Sequence, residues 1–148
     1  MKNLILSVAM AASFNAYCST EEWEVITPSI IAVDSMNRSD SSLLAIYNFE
    51  KNSSDLGFMF KKHNDCQHTP NYTAVRTLTV DFQKIEFDET CDKNGHKSFF
   101  PKTRAGRNFI MDKLESQHVI TLMISGKPVY YSAMGFVKSK LKLQDGVL

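Results

Sequence analysis

Signatures that would name a reaction are missing from this sequence. It has no G-x-x-x-x-G-K-[ST] loop to cradle phosphates, no G-x-G-x-x-G turn for a dinucleotide, no H-E-x-x-H pair and no G-x-S-x-G elbow. No C-x-x-C occurs either, so a zinc knuckle of familiar spacing is excluded. Glycine and proline number 6 and 4 in 148 residues, which rules out a low-complexity or collagen-like chain. An excess of one charge is also lacking: 17 Lys and Arg face 16 Asp and Glu, so the footprint of a nucleic-acid binder is absent. The apolar run Leu4 to Phe14 is far shorter than the roughly 20 residues that cross a bilayer, so no integral anchor is expected.

What is present begins with an address. In "MKNLILSVAMAASFNAYCST", Lys2 precedes the apolar run, and small residues at Ala11, Ser13, Ala16 and Cys18 offer cleavage points. This layout predicts a secretory signal over residues 1–18 and one β-rich exported domain over 19–148. Tyr17 before Cys18 argues against lipidation. Loss of Lys2 takes Lys and Arg from 17 to 16 against 16 acids, a neutral exported form.

Export decides how the cysteines read. With Cys18 at the terminus or gone, Cys66 and Cys91 remain, and in an oxidising compartment they are expected to pair. The stretch "KKHNDCQHTP" would otherwise invite a metal reading with His63, His68 and His96, and a carrier role for His63 and His68 stays open as an alternative. No metal and no cofactor is expected.

The pattern predicts mainly β structure, an antiparallel sandwich-like domain with two short helices in the C-terminal third. Pro28 confines "EEWEVITPSIIAVDS" to a sheet edge or splits it into two short strands. "LLAIYNFE" and "LGFMFKKH" form a hairpin, and Leu78, Val80 and Phe82 share one face until a phase shift near Gln83 and Lys84. "TRAGRNFIMDKLESQ" holds an amphipathic helix of about three turns with Phe109, Ile110 and Leu114 as its stripe. "VITLMI" and "VYYSA" make a hairpin, and a last helix carries an apolar stripe of Met134, Val137 and Leu141.

Catalytic candidates are thin. Ser125 and Ser132 lack an elbow, and Asp88 and Glu89 in "FDET" read as solvated edge carboxylates. Trp23, Phe99, Tyr130 and Tyr131 are the candidate partner-binding aromatics, and Lys102, Arg104 and Arg107 at a helix start are candidate anion ligands. Asn37, Asn52 and Asn71 head sequons that matter only in a eukaryotic secretory route.

The segment "VITLMISGKPVYYSAMGFVKSKLKL", with Gly135 and Phe136 at the step between hairpin and helix, resembles the end of the invasion-associated locus B family of bacterial periplasmic proteins. The resemblance implies a β-sandwich-like periplasmic domain and carries over no site residues. The expected function is a periplasmic or secreted non-catalytic interaction protein, an inhibitor, immunity or exclusion factor with a protein partner in the cell envelope. A cell-envelope hydrolase is the alternative beside the carrier.

Overall fold

The computed structural model describes residues 22–37, 42–50, 53–61, 66 and 73–145. Among these residues nine strands make one antiparallel sheet: β1 (Glu24–Thr27), β2 (Ile30–Asp34), β3 (Ser42–Glu50), β4 (Ser53–Phe60), β5 (Thr73–Val80), β6 (Gln83–Cys91), β7 (Lys97–Pro101), β8 (Val119–Ile124) and β9 (Lys127–Ser132). Among the described residues two helices follow the expected places in the C-terminal third, α1 (Arg104–Ser116) and α2 (Phe136–Asp145). The spatial order is β1-β2-β3-β4-β7-β6-β5-β8-β9. Pro28 falls in the turn between β1 and β2, where its missing N–H costs no ladder bond.

The sheet curls until β9 meets the end of β2. Ser35 bridges Tyr131, and the Met36 N–H donates to the Tyr130 carbonyl at 2.8 Å. Asn37 continues the seam with its side chain: Oδ1 accepts from the Tyr130 N–H (2.8 Å) and Nδ2 donates to the Pro128 carbonyl (3.2 Å). One amide therefore stands in for the next strand residue, which commits Asn37 to structure rather than to a sugar. The variant N37D keeps the acceptor and sets a carboxylate oxygen against the Pro128 carbonyl. We expect it to cost about 1–3 kcal/mol in urea denaturation.

Period-two alternation turns one face of each strand inward. Leu44, Ile46, Leu56, Phe58, Leu78, Val80, Ile85, Phe87, Phe99, Leu122, Val129 and Tyr131 fill the curl. Phe58 sits edge-on to Phe87 (5.9 Å between centroids) and tilted on Tyr131 (5.2 Å), so three strands distant in sequence share one aromatic contact. Tyr131 remains soluble in this core because its hydroxyl donates to Ser42 Oγ at 3.0 Å.

Thr103 caps α1, its Oγ1 accepting from the Gly106 N–H at 3.0 Å. Ile110 and Leu114 are buried as the stripe predicts. Gly106 has a packing reason: a Cβ there would lie 2.7 Å from Ile85 Cγ2, so glycine lets the helix lie close on β6. For α2 the predicted face is reversed. Phe136, Ser139 and Leu143 are buried, while Met134, Val137 and Leu141 face out. The Phe136 ring packs on Trp23 at 4.9 Å and Ser139 Oγ donates to the Trp23 carbonyl, so the residues beside β1 choose the face.

Cys66 and Cys91 form a disulfide with Cα atoms 5.4 Å apart. It joins the segment beyond β4 to the end of β6 across the start of β7, since Lys97 pairs with both Phe60 and Cys91. The two thiolates that a zinc set would need are consumed. No described helix is long and apolar enough to cross a membrane.

Candidate functional site

The β5–β6 connection is a two-residue turn at Asp81 and Phe82, not the later phase shift expected at Gln83 and Lys84. Both residues have positive φ, 44° and 69°, the geometry of a type I′ hairpin turn that usually selects Asn-Gly. Aspartate tolerates this region; phenylalanine is out of character there. The turn is held from outside. The Asp81 N–H donates to the Thr121 carbonyl (3.0 Å), and the Thr121 N–H donates to Asp81 Oδ1 (2.8 Å). With the Gln117 amide nitrogen turned toward Asp81, it donates to Oδ2 at 2.9 Å and the Gln117 oxygen accepts from Lys113 Nζ at 3.1 Å. Asp81 thus clamps the tip to β8 and to the end of α1. Phe82 itself is 101% exposed.

Gln117 is also part of a second feature. Between the end of α1 and the start of α2 runs a groove of about 720 Å³, walled by Leu114, Gln117, His118, Ala133, Val137 and Leu141. Val137 and Leu141 of α2 border it, each about half exposed, and Met134 just before the helix is half exposed as well. Glu115 is paired with Lys140 across the helices, which ties the walls together. Lys138, Lys142 and Asp145 remain on the rim, with Lys84 exposed two residues beyond Phe82. One end of the curled sheet therefore presents apolar side chains under a basic rim.

No protein family matches this chain, and neither does a curated protein or a solved structure.

The predicted aromatic surface is largely interior. Trp23, Phe99 and Tyr131 are buried, Trp23 donating through Nε1 to the Ser132 carbonyl at 2.8 Å, so a protein surface cannot reach these three while the fold is intact. Tyr130 alone of the four is exposed, on the seam. Lys102 and Arg104 are exposed at the start of α1, and Arg107 lies against Asp55 with Nε 3.4 Å from Oδ1. His63 and His68 lie outside the described residues.

Glu89 overturns its reading as a solvated edge group. It is 1% exposed, on the inward face of β6 with Ile85, Phe87 and Cys91. Lys97 Nζ reaches Oε1 at 2.9 Å, and Arg76 Nε reaches Oε2. Burial opposes ionisation of Glu89, but hydrogen bonds and charge from Lys97 and Arg76 outweigh it and hold the carboxyl below the usual glutamate range. The signal was available: Arg76, Leu78 and Val80, Ile85, Phe87 and Glu89, and Lys97 and Phe99 each keep period two. Phe82 also had a signal, a two-residue gap between alternating runs filled by Asp-Phe instead of Asn-Gly.

Proposed function

We propose that the chain is an exported, non-catalytic binding domain that docks a protein partner of the cell envelope on this apolar end, with Phe82 as the anchor. The observation that carries the reading is a fully exposed phenylalanine on a positive-φ turn that Asp81 holds in place. Left-handed backbone at a side-chain-bearing residue costs about 1–2 kcal/mol. The ring recovers none of that inside the fold, since it touches solvent on all sides. Rigid aromatic projections of this kind are what binding hot spots are built from. The groove and the α2 stripe extend the apolar area, and the lysines on the rim suit a partner pocket edged by carboxylates. The signal-like N-terminus, the disulfide and the resemblance to periplasmic proteins support the envelope as the place of action.

A trade between stability and binding tests this. F82G relieves the turn and should raise unfolding stability on the order of 1 kcal/mol. The same variant should weaken the partner complex by about 2 kcal/mol or more, some 30-fold in Kd. The partner is found first by photo-crosslinking from position 82 in the native envelope, and its affinity is then measured with purified protein. Equal affinity of F82G, or crosslinks to lipid alone, would remove Phe82 from the interface.

A further inference from the structure

At the end of the curl opposite Phe82, the inward faces of three strands change from apolar to charged. Arg76 of β5, Glu89 of β6 and Lys97 of β7 stand where Leu78, Phe87 and Phe99 stand one step further in. Here β5 and β8 diverge. They pair only at Thr79 with Met123 and Val80 with Leu122, so Arg76 and Leu78 part from Ile124, Ser125 and Gly126. The gap is a cavity of about 330 Å³, at the small end of the range of ligand pockets. Leu78, Phe99, Met123 and Ile124 give it apolar walls, and Arg76 and Lys97 give it cations.

The two cations differ in exposure. Lys97 is 4% exposed and meets Oε1 at 2.9 Å. Arg76 meets the other carboxylate oxygen, yet its side chain is 52% exposed on the cavity wall. Glu89 takes the Arg76 Nε–H, and that bond fixes the plane of the guanidinium. The terminal nitrogens are the part of the fork left to meet an incoming group. A planar fork held this way matches the two oxygens of a carboxylate.

We propose that this cavity binds a small organic carboxylate, its head group on the Arg76 guanidinium beside Lys97 and its apolar body against Phe99, Leu78 and Met123. The arrangement explains the exposed guanidinium, its orientation by a buried acid and the mixed lining together. Glu89 acts as the positioning residue and Arg76 as the ligand-binding one. The site lies apart from the apolar end, so protein docking and carboxylate binding are separable by mutation.

Hexanoate titrated into the isotope-labelled exported domain, with butyrate and inorganic phosphate in parallel, is the experiment. Saturable amide shifts are expected at Arg76 to Leu78, Lys97 to Phe99 and Met123 to Gly126, with hexanoate tighter than butyrate. R76Q leaves Lys97 on Glu89 and should keep the spectrum elsewhere unchanged while weakening hexanoate about tenfold or more. R76K keeps the charge without the fork and should fall between the two. Unchanged affinity in R76Q, shifts confined to Val137 and Leu141, or phosphate binding as tightly as hexanoate would each overturn the proposal.

Discussion

Replacing Lys97 by methionine is expected to cost about 3–5 kcal/mol of stability, more than any surface change in this protein, because Glu89 keeps its burial and loses the cation that sits with it inside the fold. The half-exposed Arg76 is then the cation left to it, and water draws on that charge from outside. The double variant E89L/K97M removes the acid as well and fills the space with hydrocarbon. It should recover most of the loss and fall within about 1 kcal/mol of the parent, since a buried pair contributes little over well-packed apolar groups. Urea denaturation of the two singles and the double closes the cycle. A loss for E89L/K97M equal to the sum of the losses for E89L and K97M would show that the pair is not energetically coupled.

The same cluster has a pH signature. The folded carboxyl of Glu89 titrates below its unfolded value, so the unfolded chain binds the proton first as acid is added. Stability from the cluster is complete above the unfolded glutamate pKa of about 4.3 and is lost as pH falls from there through the folded value. The double variant should lack this part of the acid limb.

The second large effect concerns the bridge. Cys66 and Cys91 close 25 residues of sequence, and the chain-entropy relation gives about 3.5 kcal/mol for a loop of that length. Against a total of about 5–15 kcal/mol for a domain of this size, C66A/C91A should be a markedly weaker fold, seen as a lower urea midpoint. Both sulfurs are buried, so reductant should act on the native protein only as fast as that end of the molecule opens. Rapid reduction with no loss of stability would show that the bridge closes nothing of consequence. Its place is also informative. Cys91 pairs in register with Lys97, so loss of the bridge should loosen the end that holds the charged cavity before it reaches the Phe82 end.

Much of this architecture is legible in the pattern of residues. Alternation over β2 to β9, the turn chemistry between them and the shift to helical spacing after Pro101 yield the mainly β domain with two late helices. The cysteine pair follows from the signal-like N-terminus and the count. The ion cluster is equally written in the alternation of Glu89 and Lys97 with their apolar neighbours, but a charged residue type points to exposure and conceals it. Phase is the better guide, since an inward charge with partners keeps its register.

Where local pattern and outcome part, the reason is that a short segment holds two equivalent answers. In α2, Met134, Val137 and Leu141 and the set Phe136, Ser139 and Leu143 have the same spacing, on opposite faces. Periodicity establishes that a helix forms and is silent on which stripe goes inside. Contact with Trp23, more than a hundred residues away in the chain, makes that choice, as the Ser139 bond to its carbonyl shows. The seam at Asn37, the clamp of Asp81 on Thr121 and the cavity between β5 and β8 share this character: each joins strands remote in sequence. Local chemistry chose the elements of this protein, whereas the surfaces it offers to others came from how the sheet closed.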